Sequence, residues 1–133
     1  MSSFLATVSS VESSDSLHIV KFTNGSETLC MMSLELDESI KKGRDVKLSV
    51  KPTHVVLSKN FTGDISFENS LVSSIVSIET GKLLSSVKLV CLDIEIESII
   101  TKDTQMKMNL KVGDEVRVFI QASSLSIVEV LDV

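Results

Sequence analysis

Two short polar breaks hold the residues with chemistry to offer. Lys51-Pro52-Thr53 and Gln121-Ala122-Ser123 each end an alternating apolar run, and a second apolar run begins shortly after each, at Val55 and at Leu125. Their side chains are a lysine, an amide and hydroxyls, which donate hydrogen bonds rather than attack bonds. A polar break between two strands is a loop on a rigid scaffold, the usual seat of a binding site. The rest of the chain supplies no catalytic set. No Ser/His/Asp or Cys/His arrangement and no Gly-rich phosphate loop is suggested, and the acids Asp114-Glu115 and Glu95/Glu97 fall on strand faces expected to be exposed. The expectation is a binding protein, not an enzyme.

The breaks recur because the chain is one β module written twice. Lys42–Ser58 (KGRDVKLSVKPTHVVLS) returns as Val112–Val128 (VGDEVRVFIQASSLSIV). In each copy a glycine opens a turn, and apolar residues then occupy every second position: Val46, Leu48 and Val50, then Val116, Val118 and Ile120. That period is a strand with one buried face. It leaves Arg117, Phe119 and Gln121 on the outer face, so Phe119, whose counterpart is Ser49, is expected to be an exposed subunit contact. Upstream, Phe4–Val11 corresponds to Leu71–Ile78, and the same spacing relates Leu17 to Leu84 and Val20 to Val87. Two strands per copy joined by a short turn, Ser13-Ser14-Asp15 or Thr80-Gly81-Lys82, are the simplest reading.

Asn24-Gly25 predicts a hairpin turn into a third strand, Glu27–Met32; Cys91-Leu92-Asp93 stands in its place before Ile94–Ile100. Leu34–Lys42 and Lys102–Val112 each read as a one- or two-turn helix plugging a barrel end. The chain thus divides as 1–60 for the first repeat, 61–67 for a linker and 68–133 for the second repeat. The fold class is all-β: two small OB-like barrels, each with a short helix, since closure hides the edges of so many β-branched strands.

Composition narrows the function. A chain of 133 residues, 43% hydrophobic, makes one compact domain or two very small ones. No apolar run approaches the roughly 18 residues that cross a bilayer. The opening MSSFLATVSS has neither a basic nor an apolar leader region, so the cytoplasm is the expected compartment. A net charge of −5 with two arginines argues against a nucleic-acid surface, so any bound anion must be held locally. Cys30 and Cys91 lack partners at ligand spacing and read as reduced thiols. His18 reads as a strand histidine, His54 as a neighbour of the Lys51 break, and Met31, Met32, Met106 and Met108 as core filling.

Several runs in the second copy resemble the molybdate-binding Mop modules, or molbindins, within the TOBE group of OB-like barrels. Asn69-x-Leu71-x-x-x-Ile75-x-x-Ile78-x-x-Gly81 is similar to the family's first strand and turn. Ile99-Ile100-Thr101-x-x-Thr104 and Met108-x-Leu110-x-x-Gly113 are similar to its Ile-Thr-x-x-Ser and Leu-Gly-Leu-x-x-Gly runs, and Ile120-Gln121-Ala122-Ser123 to its Ile-Lys-Ala-Ser. The first copy shares the pattern more faintly, in a tandem arrangement.

The resemblance implies a protein that binds molybdate or tungstate for storage, buffering or homeostasis of molybdenum, with no nucleic-acid or membrane partner. Backbone N–H groups, hydroxyls and one basic side chain would hold the tetrahedral anion. By position the candidates are Ser33, Lys51, Pro52 and Thr53 from the first copy and Ser66, Phe67, Thr101, Thr104, Ala122 and Ser123 from the second. Two positions depart from the family: its Ser-Ala-Arg-Asn opening is Ser66-Phe67-Glu68-Asn69 here, and its lysine is Gln121. A carboxylate at position 68 is expected to repel an anion. Thr101, Thr104 and Ser123 read equally as turn and capping residues. The resemblance also implies a symmetric homo-oligomer, a trimer before a dimer. The competing expectation is a ligand-free TOBE-type module that docks on a partner protein.

Overall fold

The computed structural model describes residues 2–131. Its strands are β1 (Ser2–Ser14), β2 (Leu17–Asn24), β3 (Glu27–Ser33), β4 (Asp45–Val50), β5 (Val56–Ser58), β6 (Asn69–Thr80), β7 (Leu84–Cys91), β8 (Ile94–Thr101), β9 (Glu115–Ile120) and β10 (Leu125–Val130). A single-turn 3-10 segment, Pro52–His54, follows β4, and its counterpart, Ala122–Ser124, follows β9. The one α-helix among the described residues is α1 (Lys102–Lys107).

The strands form two antiparallel five-stranded sheets, in the orders β10-β4-β1-β2-β3 and β5-β9-β6-β7-β8. Each curls into an OB-like half barrel. The sheets do not follow the sequence repeats. After β4 the Pro52–His54 turn carries the chain to the other sheet, where β5 pairs with β9; after β9 the equivalent turn delivers β10 to β4. Each half of the chain thus completes the other's sheet and covers a ladder edge that would otherwise be bare.

Local sequence explains the repeat geometry. The long first strand of each copy is bulged, at Ser9 between Val8 and Ser10 and at Val76 between Ile75 and Ser77. Beside each bulge a glycine turn closes on the strand: Gly43 N donates to Val8 O at 2.8 Å, and Gly113 N to Ile75 O at 2.8 Å. These glycines have φ of +91° and +94° with open space where a Cβ would stand, so backbone conformation and not crowding requires them.

The alternating positions Val46, Leu48, Val50, Val116, Val118 and Ile120 are all at most 3% exposed, within one core shared by both sheets. Burying side chains of this kind contributes about 1.5–3 kcal/mol each.

Three local expectations change. The two-residue turn of the β2–β3 hairpin is Gly25-Ser26, because Asn24 is still paired with Glu27 and its side-chain amide donates to Leu5 O at 2.7 Å. No helix forms across Leu34–Lys42. There the Ser33 hydroxyl bonds the backbone of Glu35, and Asp37 Oδ1 accepts from both the N–H and the hydroxyl of Ser39, side-chain turns that compete with helix. The second copy does form α1, capped by Thr101 and closed by Asn109 at φ +51°. Phe119 faces outward as its register requires, yet it is 3% exposed. The chain's own connection covers it: Phe67 stacks on its ring and Phe61 meets it edge-on, each at 5.5 Å between centroids.

Candidate functional site

The two 3-10 turns are built alike. Lys51 and Gln121 precede them in extended conformation (φ −68°, ψ 134° and φ −70°, ψ 146°), and each carbonyl accepts from the N–H three residues on, His54 or Ser124, at 2.9 Å. The opening N–H groups of a helical turn have no partner within it, so they point outward as donors. At the first turn Pro52 has no N–H, so Thr53 supplies its first amide, in a stretch that also carries the Thr53 hydroxyl and the Lys51 ammonium. Lys51, Thr53 and His54 are all exposed. This turn packs against β8 of the other sheet, where the buried Ser98 hydroxyl donates to Val55 O at 2.8 Å.

The second turn packs against β3, and its chemistry differs. Ala122 N donates to Glu68 Oε1 at 2.6 Å. The carboxylate expected to repel an anion is thus itself the acceptor of a backbone amide of this turn. Register puts it there, because Asn69 pairs with Ile120 and so sets Glu68 opposite the end of β9. Asn69 is fixed in turn: it is 1% exposed, and its amide accepts from Cys30 N at 2.7 Å and donates to Cys30 O at 2.9 Å. On the opposite side of the molecule Ser2 holds the equivalent place, its hydroxyl accepting from Glu97 N at 2.9 Å. Burial pushes the Cys30 thiol up, and the nearby Glu68 charge pushes it further, opposed by Lys21.

Of the remaining candidates, Ser33 and Ser123 line one groove of about 440 Å³ between β3 and β10, the two edges of the first sheet. The Ser33 hydroxyl is engaged by the Glu35 backbone. Thr101 and Thr104 serve α1: Thr104 N donates to Thr101 Oγ1 at 3.1 Å, and the two hydroxyls are 2.9 Å apart. Ser66 stands exposed in the connection, and Phe67 belongs to the aromatic stack. The candidates therefore fall into two clusters, one at Lys51, Pro52 and Thr53 against β8, the other at Ala122, Ser123 and Ser33 where the second 3-10 turn meets β3. Sequence reasoning missed the clamp role of Asn69 and the buried Ser98. Ser98 was detectable as a lone hydroxyl continuing the inward series of Ile94 and Ile96.

Two curled five-stranded sheets that exchange their last strands across two polar turns define a tandem OB-like β module. Residues 65–127 match the TOBE domain. The whole fold is similar to that of the cytoplasmic molybdate-binding protein ModG in its molybdate-bound crystal form, with a TM-score of 0.88 and 28% identity over 94% of this chain and 93% of that one. A molybdate-binding protein from Sporomusa ovata matches 45% of this chain and 90% of its own at 25% identity and a TM-score of 0.44. No curated protein matches the sequence. The second repeat thus carries a TOBE domain, in a chain whose fold is similar across nearly its whole length to that of ModG.

Proposed function

We propose that this protein binds molybdate, or the similarly shaped tungstate, as a non-enzymatic store or buffer in the cytoplasm. The observation that carries the reading is the exposed set of donors in the Lys51–Thr53 turn, an ammonium, a hydroxyl and a backbone amide, in a fold similar across nearly its whole length to ModG. An exposed amide, a hydroxyl and an ammonium suit a tetrahedral dianion, since each is a donor and the lysine offsets charge. Symmetric assembly, a trimer before a dimer, brings further donors to such a turn. Thr101 and Thr104 are committed to capping α1 and contribute structure.

Isothermal titration with molybdate and tungstate, with sulfate as control, tests this. The expected result is saturable heat with the first two, and Lys51→Ala weakens binding by about 1.5–3 kcal/mol, the scale of a hydrogen bond to a charged group. Absence of heat and of any thermal shift would overturn the reading. Glu68 in the second turn favours one alternative, a ligand-free module that docks on a partner, which that silent titration would support.

A further inference from the structure

We propose that Glu68 is a tethered occupant of the second oxyanion turn, so that each chain presents one open turn, at Lys51, and one closed turn, at Ala122. The inference rests on the oxyanion reading above and adds which turn is live and what closes the other. Three observations carry it.

The first is the contact itself. A carboxylate oxygen at 2.6 Å from Ala122 N is a charge-assisted hydrogen bond, the same bond that an oxyanion would make with that amide. The second is how the carboxylate is held. Its neighbour Asn69 is buried and joined twice to the Cys30 backbone, and it pairs with Ile120, two residues before the turn. Glu68 therefore needs little ordering to reach Ala122, and a tethered group competes at an effective concentration far above that of a micromolar solute. Its charge also repels a second anion approaching the same donor.

The third is the contrast with the first turn. Pro52 stands at the position of Ala122 and offers no N–H for a carboxylate to cap. No described hydrogen bond brings a carboxylate to Lys51–His54, and Lys51 supplies a positive charge where the second turn has neutral Gln121. Met1, which corresponds to Glu68, lies outside the described residues. The two turns share a backbone and differ in charge and in free donors, so they divide into an open and a closed site.

The experiment combines amide NMR with molybdate titration of the full chain. In the ¹H–¹⁵N spectrum the Ala122 amide proton of the wild type lies downfield, and Glu68→Ala moves it upfield; an Ala122 resonance that does not move overturns the contact whatever binds. In calorimetry the wild type takes up one molybdate per chain and Glu68→Ala two, while Lys51→Ala/Glu68→Ala returns to one. Two molybdates per wild-type chain, or an unchanged stoichiometry in Glu68→Ala, overturns the inference and leaves the molybdate reading standing. Silence from both proteins overturns the molybdate reading and with it the site that Glu68 is said to close. Uptake by Glu68→Ala alone upholds the closure and removes Lys51 as the live turn. Glu68→Gln keeps the side-chain shape and serves if the alanine variant fails to fold: it loses the charge, and molybdate then binds the second turn more than tenfold tighter than in the wild type.

Discussion

The Lys59 ammonium lies 3.1 Å from Asp114 Oδ2 and 2.8 Å from the Asn109 carbonyl, so one side chain at the end of the first repeat holds the glycine turn and the end of α1 in the second. The Lys111 N–H also donates to Asp114, at 2.9 Å. These bonds and the lysine charge hold the Asp114 carboxyl below its usual range, the backbone bond first.

Lys59→Ala should lower the melting temperature by a few degrees at neutral pH. A carboxyl whose pKa is lowered by folding stabilises the fold above its unfolded pKa and loses that contribution as acid protonates it. The gap between wild type and Lys59→Ala should therefore narrow on acidification from about pH 5 downward, through the unfolded carboxylate range. Thermal melts across that window check it; a gap that widens in acid contradicts it.

Asn69→Ala removes both side-chain hydrogen bonds to the Cys30 backbone and leaves a partly buried N–H and C=O without that partner. Each unsatisfied group costs about 1–3 kcal/mol, so a loss of roughly 2–4 kcal/mol is expected in urea denaturation. Asn69→Asp should be nearly as harmful, because a carboxylate can accept from Cys30 N but cannot donate to Cys30 O. An effect under half a kcal/mol would show that the inter-sheet clamp is dispensable.

Phe119→Ser installs the residue that the first copy carries at this position. The variant loses the stack with Phe67 and the edge contact with Phe61, and truncating a buried aromatic costs about 3–5 kcal/mol. Proteolysis should then cut first within residues 61–67, because the ring that pins this segment is gone. Sedimentation of the folded variant should match the wild type, since the ring is covered by its own chain.

The repeat was legible because a strand with one buried face alternates with period two, and Val46, Leu48 and Val50 match Val116, Val118 and Ile120 without any tertiary information. The same rule misplaced Phe119. Period two says which way a side chain points, and only a non-local contact with Phe61 and Phe67 says what covers it. The exchange of β5 and β10 was hidden for a related reason: alternation identifies a buried face but not the ladder edge that a strand joins. Across Leu34–Lys42 the apolar spacing favoured helix, and Ser33 and Asp37 decided otherwise by bonding their neighbours' backbone. At the candidate site, the two turns were found by residue type. The position of Glu68 was not legible in its charge, since only the pairing of Asn69 with Ile120 brings its carboxylate to the Ala122 amide.

The exchanged strands also order events in time. β4 is made early, yet its outer partner, β10, ends only at Val130, so the first sheet emerges from the ribosome with a bare edge that stays open until Leu125–Val130 has been made. The short β5 likewise waits for β9. Neither half can finish before the other, and such long-range closure slows folding relative to a chain of local hairpins. The two repeats form a reciprocal handshake around one shared core, although the sequence is written as two.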